Sequence, residues 1–166
     1  RLVVFDQEFH VHSVVLKLYS AFFRKFLDSP DKATAAAAAA AGANHPSIAS
    51  PQSIVSSKFK YEWVTKLDET ISGEDADTND ALPWYLVAAT GISKETIDIS
   101  TFKGDKVPEL RAFEKLLCAF YIKQYEIEDF DELETMTRQA DYYCALPMLS
   151  RSLDGALWRS EWSLGR

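Results

Sequence analysis

Residues 2–27 read LVVFDQEFHVHSVVLKLYSAFFRKFL, and the change of rhythm inside this stretch decides the fold. Leu2 to Phe5 is a short β-branched-rich run, Asp6-Gln7 can turn the chain, and Phe9 and Val11 then alternate with His10 and His12. A period of two marks a two-strand hairpin with one buried face. The period then lengthens. Val15, Leu18, Tyr19, Phe22, Phe23, Phe26 and Leu27 recur at steps of three and four and trace one helical stripe. Ser13 can cap its start, and Ser20 can divide it into two short helices. Asp28-Ser29-Pro30-Asp31 ends it, because Pro30 lacks a backbone donor and turns Ser29 away from helix.

Beyond this opening, residues 33–57 are of low complexity, with an unbroken Ala35–Ala41 run. Polyalanine has no amphipathic face, so this segment reads as a surface insertion. In residues 58–67, Phe59, Tyr61, Trp63, Thr65 and Leu67 share one face of a half-buried strand. An acidic loop follows at 68–80, and residues 82–88 can return as an antiparallel partner, with Pro83 at its start or on an edge. Ile97 and Ile99 alternate in another short strand. The last third is helical. Leu110, Phe113, Leu116, Leu117, Phe120 and Tyr121 form one stripe behind Pro108. Leu133, Met136, Ala140, Tyr143 and Cys144 form a second, with Asp129 or Asp131 as cap. Leu149, Leu153, Ala156 and Leu157 form a third. Strands followed by helices, twice over, predict a single α+β domain over 1–166 with a small, mostly antiparallel sheet flanked by helices.

The composition narrows function. The chain has 166 residues, 47% hydrophobic, with a net charge of -7. It is long enough to bury roughly two-thirds of its unfolded surface without staples. An acidic chain with scattered bases lacks the footprint for nucleic acid, so Phe59, Tyr61 and Trp63 read as sheet packing rather than a base-stacking platform. No apolar run is long enough for a membrane span. The chain begins at Arg1 rather than Met, as an excerpt or a processed product would. Cys118 and Cys144 both fall on apolar helical faces, where reduced core thiols of an intracellular protein sit.

Reactive constellations are sparse. His10-x-His12 could open a zinc site, but the third histidine, His45, lies in the insertion. A pairing of His12 with Cys118 or Cys144 has no local signature, and a thiol in apolar surroundings is inert. The acids Glu126 to Glu134 lack the spacing and glycine of a calcium loop. No catalytic residue, metal or cofactor is expected. Trp158 and Trp162 either cover the last helix or face a partner or a further C-terminal segment.

The order of these segments resembles the BTB/POZ domain in its fungal form. Phe9-His10-Val11-His12 followed by Ser20-Ala21-Phe22-Phe23 is similar to the family's opening, with Phe9, His12, Ser20 and Phe23 in the motif. Phe113 to Tyr121 resembles its helix ending in an aromatic. Ala140-Asp141-Tyr142 resembles its "Ala-Asp-Tyr" helix, and Cys144 to Leu149 continues as in fungal members. Together these segments cover about half the chain. Tyr121-Ile122-Lys123 departs from the family's Tyr-Thr-Gly.

The resemblance implies a BTB-like fold and a protein-interaction module, nuclear or cytoplasmic, that homodimerises or pairs with another protein. Its dimer surface would be Leu2, Val3, Val4 and Phe5 in the first strand with Val14, Leu18 and Tyr19 in the first helix. The alternative is an adaptor for a cullin-type ubiquitin ligase, contacting its scaffold through Phe26, Asp28 and Tyr125. Ser29-Pro30-Asp31-Lys32 does not match the apolar-x-Glu motif of such adaptors, which places this alternative second.

Overall fold

The structure, a computed structural model, describes residues 1–27, 59–67, 83–89 and 102–160. Asp28, His45, Ile97, Ile99, Trp162, the Ala-rich insertion and the acidic loop lie outside the described residues. Among those described, four strands form one sheet and five helices pack beside it, an α+β architecture. The strands are β1 (Leu2–Val4), β2 (Gln7–Phe9), β3 (Trp63–Leu67) and β4 (Trp84–Ala88). The helices are α1 (Ser13–Tyr19), α2 (Ala21–Leu27), α3 (Lys106–Phe120), α4 (Phe130–Tyr142) and α5 (Leu146–Leu157).

The sheet order is β2-β1-β3-β4. Both outer pairs are antiparallel, as their alternation suggests, but the central β1–β3 pair is parallel. Parallel neighbours need a crossover, and α1 and α2 lie on the chain between these two strands. The hairpin turns at Phe5-Asp6, one residue before the Asp6-Gln7 pair, since Val4 faces Gln7. This places Phe5 at φ 51°, a left-handed conformation rarely taken by bulky residues. Its surroundings hold it there. The Phe5 amide donates to Thr65 Oγ1 at 2.8 Å, and its ring lies 5.2 Å from Trp84 and 5.1 Å from Phe102. Thr65 Oγ1 in turn donates to the Val3 carbonyl at 3.2 Å. A buried hydroxyl thus continues the β1–β3 ladder where its backbone register stops.

Ser20 does divide the first helical stretch. Its backbone is extended, at φ -132° and ψ 120°. The break resets the stripe, so Leu16, Phe23 and Leu27 enter the core while Leu18 and Phe26 remain exposed. Ser13 is the first helical residue rather than the cap, because His12 holds the cap position, with no side-chain bond to the helix. Farther on, Asp105 caps α3 by accepting from the Val107 amide at 2.9 Å, and Asp129 caps α4 by accepting from Glu132 at 2.8 Å.

The core lies between the sheet and α3, α4 and α5, filled by Trp84, Phe23, Phe113, Met136 and Tyr143. Phe23 stacks on Tyr143 with centroids 5.4 Å apart and planes 7° apart, while Phe113 meets Trp84 and Tyr143 edge-on. Buried Glu109 accepts from Trp84 Nε1 and Gln139 Nε2, both at 2.9 Å, and from Arg138 at 3.1 Å. Three donors offset the desolvation of its charge. The thiols are less alike than their spacing suggests. Cys118 is half-buried, whereas Cys144 is exposed at φ 50° in the turn that ends α4.

Candidate docking surfaces

The motif residues of the two chain ends meet in space. Ser20 Oγ donates to the Tyr143 carbonyl at 2.6 Å and accepts from the Phe23 amide at 3.1 Å. It therefore caps α2 and ties it to the end of α4 with one buried hydroxyl. At the other end of α1, Tyr121 Oη accepts from the His12 amide at 2.6 Å and lies 3.1 Å from His12 Nδ1. Phe9 packs edge-on against Phe113, and Ala140 is fully buried. Asp141 and Tyr142 face outward. The Tyr142 ring covers Phe22 and Tyr85, at 5.6 and 6.0 Å.

These ties hold α1 at both ends and leave its outer face uncovered. Val14 is 74% exposed and Leu18 61%, one helical turn apart, with Tyr19 half-buried beside them. The strand half of the expected dimer surface fares differently. Leu2, Val4 and Phe5 are buried in the core and Val3 is half-buried, because β1 lies inside the sheet with neighbours on both sides. Those residues build the monomer and are not free to face a partner. Of the other expected contacts, Phe26 is exposed, but Tyr125 is buried, with its hydroxyl 2.7 Å from Ser152 Oγ. Tyr125 instead fastens the α3–α4 connector to α5, and its burial pushes the phenol pKa up.

One cleft brings His12 and Cys118 to the same wall, beside Phe9, Glu114, Tyr121 and Lys123, around about 310 Å³. Their chemistry is not that of an activated pair. His12 Nδ1 is engaged by the Tyr121 hydroxyl, and burial, then the Glu114 carboxylate, push the Cys118 thiol up. A raised thiol pKa lowers the fraction of nucleophilic thiolate. His10 is exposed and lies 3.4 Å from Glu8. Among the described residues, no three His, Cys, Asp or Glu side chains stand close enough to share a metal ion. Trp63 is buried and Phe59 and Tyr61 are half-buried, with Lys60 over the Tyr61 ring at 5.0 Å. Trp158 is 74% exposed. No described helix is long and apolar enough to cross a membrane.

No protein-family model, curated protein or solved structure matches the chain. Large apolar side chains are exposed on every described helix, with Val14 and Leu18 together on α1 and Phe130 of α4 lining one groove with Leu146 of α5.

Proposed function

We propose that the chain is a protein-interaction module of the BTB/POZ type, not an enzyme, which pairs with a second copy through the outer face of α1. The observation that carries this reading is the exposure of Val14 and Leu18, one turn apart on a helix anchored at both ends. An anchored helix presents its outer side chains without further ordering, which lowers the cost of association. Burying each Val or Leu contributes about 1.5–3 kcal/mol, and a twofold axis brings four of them together. The meeting of Ser20, Phe23 and Tyr143 supports the resemblance, since these residues come from the two segments that carry it. The inert surroundings of Cys118 favour a scaffold over nucleophilic catalysis.

Sedimentation of the purified chain at tens of micromolar tests the reading, because a specific dimer should persist there. The wild type should sediment as a dimer, and Val14→Gln/Leu18→Gln as a folded monomer with an unchanged circular dichroism spectrum. A monomeric wild type would remove the proposal. The cullin-adaptor alternative keeps Phe26 alone among its described contacts, since Tyr125 is buried.

A further inference from the structure

The outer side of α4 carries a second surface, separate from α1. Phe130, Leu133, Glu134, Thr137 and Asp141 run along it, and Leu146 of α5 closes one end, around about 560 Å³ of open groove. From Phe130 to Asp141 the surface extends about 16 Å, the length of three helical turns. Its floor is apolar, and Phe130 is 63% exposed although it opens the helix. Its rim is negative: Glu134 and Asp141 are exposed and make no ion pair among the described residues. The one described cation lining the groove, Arg138, is turned back to the Glu109 carboxylate at 3.1 Å. Solvent-facing carboxylates beside exposed phenyl and leucyl groups suit a ligand that is both apolar and cationic.

We propose that this groove receives a basic amphipathic helix of a protein partner. Apolar residues of that helix would pack on Phe130, Leu133 and Leu146, and its Lys or Arg side chains would pair with Glu134 and Asp141. The two acids lie seven residues apart on α4, so cations seven residues apart on a partner helix match them. The groove is open and elongated, as a helix requires.

The test uses labelled amphipathic peptides with Leu anchors and Lys seven residues apart, and a control with Glu replacing each Lys. Fluorescence anisotropy at low and high salt gives affinity, and amide chemical shifts give location. The Lys peptide should bind, weaken with salt, and shift the signals of Leu133, Thr137, Asp141 and Leu146. Glu134→Lys/Asp141→Lys should weaken it by at least about tenfold, or 1.4 kcal/mol, and admit the Glu peptide. Phe130→Ser should weaken the Lys peptide. Equal binding of the two peptides to the wild type, shifts confined to the Glu126–Glu128 connector, or no binding would each overturn the proposal. Repeating the titration on Val14→Gln/Leu18→Gln separates this groove from self-association, since the groove should bind equally well on that variant.

Discussion

Helices α1 and α3 are both rich in apolar residues, yet they use them in opposite ways. From Ala112 to Phe120, α3 buries Ala112, Phe113, Leu116, Leu117, Ala119 and Phe120. It has fifteen residues and a side-chain cap at Asp105. In α1, seven residues long and without such a cap, Leu16 alone is buried while Val14 and Leu18 face solvent. A helix that short is unstable by itself. It persists because Tyr121 receives its first turn and Ser20 anchors its end. Stability in α3 comes from its own buried face, whereas α1 borrows stability from its termini and keeps a face to spare.

The contrast is open to attack by substitution. Phe113→Ala should have the largest effect, destabilising the chain by about 3–5 kcal/mol in urea unfolding, since it leaves a cavity at the centre of the aromatic core. A much smaller loss would mean that α3 does not carry the fold. Alkaline titration comes next. Burial raises the Tyr143 phenol well above its ordinary value of 10.0, so the folded chain holds the proton that the unfolded chain releases. Stability from this group is complete below about pH 10 and declines above it as the unfolded phenol ionises. Tyr143→Phe should move the alkaline unfolding limb to higher pH; an unmoved limb would refute the assignment. Ser20→Ala removes a cap and strips a buried carbonyl of its donor, and should cost about 1–3 kcal/mol. Asp105→Ala removes only an exposed cap and should cost about 1 kcal/mol, read as a lower unfolding midpoint. Leu18→Gln should change the stability of the dilute monomer by less than about 0.5 kcal/mol. A larger loss would show that α1 depends on its outer face after all.

Much of this arrangement is legible in the residues. Alternation locates β3 and, with the β-branched run at Leu2–Phe5, the hairpin; spacing of three and four locates the helices. Ser20 marks a break, and the cap of α4 is narrowed to Asp129 or Asp131, of which the structure uses Asp129. What escapes is set by tertiary partners. The hairpin turns at Phe5 because Thr65, Trp84 and Phe102 hold a phenylalanine in a conformation its local sequence disfavours. An unbroken stripe would have buried Leu18, but the extended backbone at Ser20 rotates the inward side to Leu16. Periodicity puts Cys144 on an apolar face, yet the helix ends two residues earlier and the thiol swings outward. Glu109 lies four residues before Phe113 on the buried stripe, a position that could have marked it as a core carboxylate. Only the fold, however, supplies its donors Trp84 and Gln139. Tyr125 joins the core by a connector whose path no local pattern records. Of the expected docking residues, Val14, Leu18 and Tyr19 rest on the resemblance rather than on spacing, which turns Leu18 and Tyr19 inward. The burial of the strand residues is not legible either, because strand order is a property of the whole sheet.

The interior position of β1 bears on what would happen if the backbone were nicked. Since β1 pairs with both β2 and β3, residues 1–27 supply the β2-β1 half of the sheet and the described residues from 59 onward the β3-β4 half, joined at the parallel β1–β3 seam. A cut between Leu27 and Phe59 would leave two pieces, neither holding the complete sheet. Each would supply the other's missing neighbour, so they should remain associated and, when separated, rebuild the native body only by recombining.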